Sequence, residues 1–147
     1  MKFEEIKNKL NKCLEKLYVE DKFLFSYETK DSRVSERCLT YRLGYYMQDE
    51  FKEYNVDSEY NRHIKDNKYL NNRNIYPDLI IHTRGNDNFN LLWIEIKKYA
   101  TQCNEDIKRL KKVTSNAYEY QYKFGVMVVL EKNSPIVTYY SNGQEIK

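Results

Sequence analysis

The chain has 147 residues, 41% of them hydrophobic and 32% charged, a length and balance that suit one soluble globular domain spanning 1–147 and exclude two. No apolar run nears the roughly 20 residues that span a bilayer, and the opening "MKFEEIKNKLNKCLEKLY" mixes charge with apolar residues where a signal peptide has an apolar block, so a cytoplasmic protein with no membrane partner is expected. The net charge of +3 is too small to declare a nucleic-acid binder.

Cys13, Cys38 and Cys103 are odd in number and far apart, which argues against a disulfide framework and a structural zinc site and for small buried side chains. Fifteen Tyr beside two Ala (Ala100 and Ala117) point to A·T-biased codons, so tyrosine richness alone is weak evidence of base stacking. Positive charge is local: residues 97–112 carry Lys97, Lys98, Lys108, Arg109, Lys111 and Lys112 against Glu105 and Asp106, and residues 61–74 carry Arg62, Lys65, Lys68 and Arg73 against Asp66.

In chain order, Phe3, Ile6, Leu10, Cys13, Leu14 and Leu17 fall at helical spacing and predict an amphipathic helix over 2–18. A second helix is expected from about Arg33 to Lys52, capped by Asp31 or Ser32, with Val34, Cys38, Tyr41 and Tyr45 as its apolar stripe and Gly44 as a weak point. The period then becomes extended. "YNVDSEYN" (54–61) reads as a strand, a polar loop follows, and 76–83 and 91–97 read as two strands joined through "RGNDNFN". Asn104 is positioned to cap a helix over 105–117 that buries Ile107, Leu110, Val113 and Ala117. "FGVMVVLE" (124–131) is apolar on both faces, as a central strand should be, and 135–140 reads as an edge strand. The sum is an α/β fold with a mixed sheet flanked by helices and an extra N-terminal helix.

Chemistry concentrates in "YPDLIIHTRGNDNFNLLWIEIKKYA" (76–100), the most apolar stretch, which nonetheless holds Asp78, Glu95 and Lys97. Glu-x-Lys occurs six times in the chain, and only this copy lies in a strand expected to be buried, with Glu95 and Lys97 on one face and Leu92, Ile94 and Ile96 on the other. A turn over about 85–90 pairs Arg84 with Leu91 and sets Asp78 opposite Lys97. One reading is a structural Asp78–Lys97 ion pair at an exposed sheet end. The other is a metal site, in which two carboxylates on adjacent strands hold a hard divalent cation beside a lysine.

"Tyr76-Pro77-Asp78", followed seventeen residues after Asp78 by Glu95-Ile96-Lys97, resembles the signature of the PD-(D/E)XK nuclease superfamily, and the order of elements over 33–131 is similar to its restriction-endonuclease-like α-β-β-β-α-β core. "VDSEYNR" (56–62) further resembles a stretch found before the Pro-Asp strand in small uncharacterised bacterial members. The resemblance implies Asp78 and Glu95 as metal ligands, Lys97 as the catalytic lysine, and Glu36 as an additional metal-coordinating acid, although a solvated helix face explains Glu36 equally well. It implies a Mg²⁺-dependent phosphodiesterase, with Mn²⁺ as a substitute, acting on DNA, RNA not being excluded, in a role such as restriction or phage defence. One site cuts one strand, so duplex cleavage calls for a homodimer or repeated action.

Around this set, His82 shares the face of Asp78 and reads more readily as a packing or phosphate-facing group than as a base. Glu59 and Arg62 either face the site or pair with each other. Lys98, Lys108, Arg109, Lys111 and Arg62 are the candidate phosphate contacts, against the alternative of a solvated face. The rival from another class is a catalytically inactive module of the same fold that holds nucleic acid or a partner protein.

Overall fold

The computed structural model describes residues 1–29 and 32–147. Helix α1 (Phe3–Glu20) buries Ile6, Leu10, Cys13, Leu14 and Leu17, the stripe its spacing predicts. Helix α2 (Glu36–Glu50) begins three residues later than expected, because Ser35 caps it by accepting from the backbone N–H of Cys38. Ser32 instead donates to the carbonyl of Thr29, and Asp31 lies outside the described residues. The buried stripe of α2 is rotated to Leu39, Leu43, Tyr46 and Met47, which turns Tyr41 and Tyr45 outward. Gly44 lies on the buried side because a Cβ there would come within 3.0 Å of Leu79 Cδ2. It permits the helix to approach the sheet.

Six strands form one mixed sheet in chain order: β1 (Asn55–Asp57), β2 (Leu79–His82), β3 (Leu92–Lys97), β4 (Phe124–Leu130), β5 (Pro135–Ser141) and β6 (Gln144–Ile146). Among the described residues only β3 and β4 run parallel, joined by α3 (Asn104–Val113) as the crossover. All seven residues of β4 are buried, as its unbroken apolar run predicts. The expected edge strand β5 is interior, since the chain turns back at Asn142 and Gly143, both at positive φ, to add β6. β1 is much shorter than the 54–61 segment because Glu59 adopts a left-handed φ of 51° and ends it. The loop after it folds into two small antiparallel ladders, Arg62–His63 with Asp66–Asn67 and Tyr69–Leu70 with Arg73–Asn74.

The sheet separates two apolar clusters. On one face Leu79, Ile81, Leu92, Ile94, Ile96, Val126 and Val128 pack under α1 and α2. On the other, Ile80, Trp93, Met127 and Val129 pack with Leu110 and Val113 of α3 and with Tyr120 and Tyr122. Helix α3 ends at Val113 rather than 117, leaves Ala117 exposed, and has Cys103 rather than Asn104 at its N-cap, with no side-chain cap bond. Cys13 and Cys103 are buried and Cys38 is half-buried, all three free. Among the described residues no helix is long and apolar enough to cross a membrane.

A candidate acidic centre on the β2–β3 hairpin

The hairpin is two residues tighter in register than the sequence reading sets it. Leu79 pairs with Ile94 and Ile81 with Leu92, while a Thr83–Asn86 bridge closes the tip and Asp87–Phe89 coil into a short 3₁₀ turn. Carried back one residue, this register puts Asp78 opposite Glu95, not Lys97. A slip of two preserves the face, so Asp78, Glu95 and Lys97 still lie on the same side, toward α3.

Each acid has one oxygen committed. Asp78 Oδ2 accepts from the Ile96 backbone N–H at 2.7 Å. Glu95, 1% exposed, accepts through Oε1 from Trp93 Nε1 at 2.7 Å and Arg109 Nη1 at 2.8 Å. Burial raises the pKa of Asp78, opposed by the Ile96 N–H and Lys97. Burial likewise pushes Glu95 up to about 8, against the pull of Arg109 and with a further push from Asp78.

Lys97 does not pair with Asp78. Its ammonium lies 3.2 Å from Asp106 and 3.5 Å from Glu36, so the N-terminus of α2 and the first turn of α3 meet over the end of β3. Burial opposes the lysine charge, but Asp106 and Glu36 outweigh it and hold the pKa above the ordinary lysine value. Asp106, 6% exposed, also pairs with Arg109 at 3.2 Å. Sequence reasoning missed Asp106, counting it against the positive charge of residues 97–112; the signal was its place four residues before Leu110, on the buried side of α3.

Counted as fully ionised, four carboxylates (Glu36, Asp78, Glu95 and Asp106) face two cations (Lys97 and Arg109), a deficit of two positive charges that, without a further cation, the raised pKa values of Glu95 and Asp78 relieve in part by protonation. Among the described residues no three His, Cys, Asp or Glu side chains form a ready-made cage. The hydrogen bonds of the two hairpin acids run through Asp78 Oδ2 and Glu95 Oε1, which leaves the second oxygen of each as a ligand atom. Two oxygen donors and a two-charge deficit fit a hard divalent cation that keeps several of its waters.

Asp78 and Glu36 open onto a cleft of about 280 Å³ lined also by Arg37, Thr40, Ser58 and Glu59. Glu59 pairs with Arg37 at 3.7 Å rather than with Arg62, and it faces this cleft. On the α3 side, a second cleft of about 500 Å³ lies between α3 and the 69–74 ladder, lined by Arg73, Lys108, Arg109, Lys112, Asn71 and Asn74.

The basic candidates divide accordingly. Lys108 is exposed in this cleft and pairs with Glu105 at 2.7 Å. Arg109 turns inward to Glu95. Lys111 is not among the cleft's lining residues, and its place is taken by Lys112, whose Nζ donates to Asn71 at 3.0 Å. Lys98 braces α2 by donating to the Val34 carbonyl at 3.2 Å. Arg62 is exposed on the first small ladder, its carbonyl accepting from buried Lys68.

His82 belongs to a different group at the far end of β2. Its Nε2 lies 2.8 Å from Asp57, which also pairs with Arg84, and burial lowers the His82 pKa against the pull of Asp57. It is a packing histidine next to Tyr60, not part of the acidic centre. Compared with known proteins, the chain matches no family model, no curated protein and no solved structure.

Proposed function

We propose that the protein is a metal-dependent nuclease of the PD-(D/E)XK type, hydrolysing phosphodiester bonds of nucleic acid, DNA foremost. The observation that carries this reading is the cross-strand apposition of Asp78 and Glu95 with Lys97 two residues on, in a cluster two positive charges short. The order α2-β1-β2-β3-α3-β4, with β3 and β4 parallel, supports a restriction-endonuclease-like core.

Asp78 and Glu95 would hold Mg²⁺, or Mn²⁺ in its place, which when bound supplies Lewis-acid polarisation of the scissile phosphate. Lys97 stays charged between Glu36 and Asp106 and offers that charge to the oxyanion that develops during in-line attack. Glu36 reaches the centre through Lys97, so its part is to orient the ammonium. Arg73, Lys108 and Lys112 line a path for the phosphate backbone toward Arg109 and Glu95.

A second reading has one observation in its favour. Arg109 already neutralises Glu95, as it would in an inactive module that retains the fold to hold nucleic acid or a partner protein. Incubation with plasmid, linear and single-stranded DNA and with RNA, under Mg²⁺, Mn²⁺ or chelator, tests the first reading. Cleavage that needs the metal and is abolished in Glu95→Gln is the expected result. No cleavage of any substrate, with no thermal stabilisation by Mg²⁺, favours the module.

A further inference from the structure

A groove of about 250 Å³ runs along the outer side of α2 beside β1, between Tyr41, Tyr45, Gln48, Val56 and Leu79. It shares Tyr41 and Ser58 with the cleft that holds Glu36 and Asp78. The two hollows therefore adjoin, one lined by charged and the other mainly by apolar and aromatic side chains.

Tyr41 is 68% and Tyr45 54% exposed, on the face that helical spacing had marked for the core. They lie four residues apart on a rigid helix, ~6 Å along its axis. The Tyr45 ring is held rather than loose: the Arg42 guanidinium lies 4.9 Å from its centroid and the Tyr46 ring meets it edge-on at 5.5 Å. Arg42 is itself fixed by Asp21 at 2.8 Å and by the Tyr46 hydroxyl at 2.9 Å. A ring ordered in advance sacrifices little freedom on binding. At the inner edge, Gln48 donates to the Val56 carbonyl at 3.0 Å, which fixes its amide and leaves Oε1 as an acceptor.

With a divalent cation held at Asp78, as in the nuclease reading, the occupant that suits these hollows is a nucleotide, its phosphate drawn to the acidic end by that cation and its flat base, apolar on the faces and polar at the edge, on the tyrosines. A base inside a duplex is already stacked and paired, so its faces are closed to such a platform. We propose that Tyr41 and Tyr45 form a stacking platform for unpaired bases beside the scissile phosphate, so that the substrate is nucleic acid single-stranded at that point. This rests on the nuclease reading above.

The test uses single-stranded DNA carrying 2-aminopurine at successive positions, and its blunt duplex, with the full chain in Ca²⁺ at fixed salt. The wild type is expected to quench the fluorophore and to bind the single strand at least tenfold more tightly than the duplex. Tyr41→Ala/Tyr45→Ala should abolish the quench and weaken binding by on the order of tenfold per base for the single strand only, while Tyr41→Phe/Tyr45→Phe retains both. Equal binding of strand and duplex by the wild type, or an alanine protein that binds and quenches like it, overturns the platform. Parallel assays in Mg²⁺ separate the two readings: quenching without cleavage leaves the platform standing and removes the nuclease, whereas cleavage with unaltered strand preference in the alanine protein does the reverse.

Discussion

Arg109 Nη1 sits 2.8 Å from Glu95 Oε1, so the most buried acid of the hairpin is answered by a cation from the helix that packs over it. Either this pair is the permanent state of the cluster, or the guanidinium serves where a divalent cation would otherwise compensate the charge. The two possibilities differ in what magnesium does to a protein lacking the guanidinium.

Arg109→Met keeps most of the packing volume and leaves Glu95 with Trp93 Nε1 as its remaining hydrogen-bond donor. Stranding a buried carboxylate costs ~3–5 kcal/mol, capped here by protonation because burial already pushes Glu95 up to about 8. Urea unfolding without metal should show that destabilisation. Millimolar Mg²⁺ should restore more stability to Arg109→Met than it adds to the wild type, since the cation substitutes for the missing charge. Equal increments in the two proteins would remove Asp78 and Glu95 as the metal site.

Lys97 offsets Glu36 and Asp106, so Lys97→Ala makes the cluster more negative. Mg²⁺ affinity, read by thermal shift, should be unchanged or tighter, while strand nicking falls by ~100- to 1,000-fold, the usual cost of one preorganised charge-stabilising group. Glu95→Gln should abolish metal response and nicking together. Nicking by Lys97→Ala at the wild-type rate would assign the activity elsewhere.

Much of this centre was legible because parity is robust. Alternation along β3 put Glu95 and Lys97 on one face whatever the register, and a two-residue error in the hairpin left Asp78 on that same face. Helix faces were less legible where several stripes competed. In α2 the stripe of Leu39, Leu43, Tyr46 and Met47 is the more apolar one and its i, i+4, i+8 spacing was there to be read, but the aromatic rings of Tyr41 and Tyr45 competed with it; the small Gly44 against Leu79 fits the buried choice. In α3, Arg109 read as a phosphate contact because charge on a helix is normally solvated. Its inward turn depends on Glu95 beneath it, a partner fourteen residues away that no local pattern encodes.

Lys68 supplies a test outside the centre. It is 2% exposed, donates to the carbonyls of Arg62 and Tyr60, and has its pKa pushed down to about 8, chiefly by burial and against the pull of Asp87 and Asp57. The fold therefore disfavours its charged form. Below pH 8 the penalty is fully present; as pH rises from 8 toward the unfolded value of 10.5, the folded protein releases this proton first and stability increases. Relative to Lys68→Met, the wild type should gain about 1–2 kcal/mol between about pH 8 and 9.5 in urea unfolding. The comparison ends below about pH 10, where tyrosines such as Tyr120, raised to about 12 by burial, begin to favour the unfolded chain. Parallel pH profiles for the two proteins would mean that Lys68 is hydrated.

The last prediction separates the cleft-lining cations from those that merely crowd the sequence. Residues 105, 108, 109 and 112 lie on the side of α3 that faces the 69–74 ladder, whereas Lys111 is on another side, its carbonyl 3.3 Å from where a Cβ at Gly143 would stand. A phosphate backbone entering between ladder and helix would meet Arg73, Lys108 and Lys112 and leave Lys111 in water. Removing one phosphate-binding cation should flatten the log–log salt dependence of DNA binding by about 0.7–0.9, the smaller figure for single strands. Measured in Ca²⁺, Arg73→Ala/Lys112→Ala should flatten the slope by nearly two such steps, and Lys111→Ala should leave it unchanged. The reverse ranking would move the nucleic-acid path off this cleft and onto the β5–β6 side of α3.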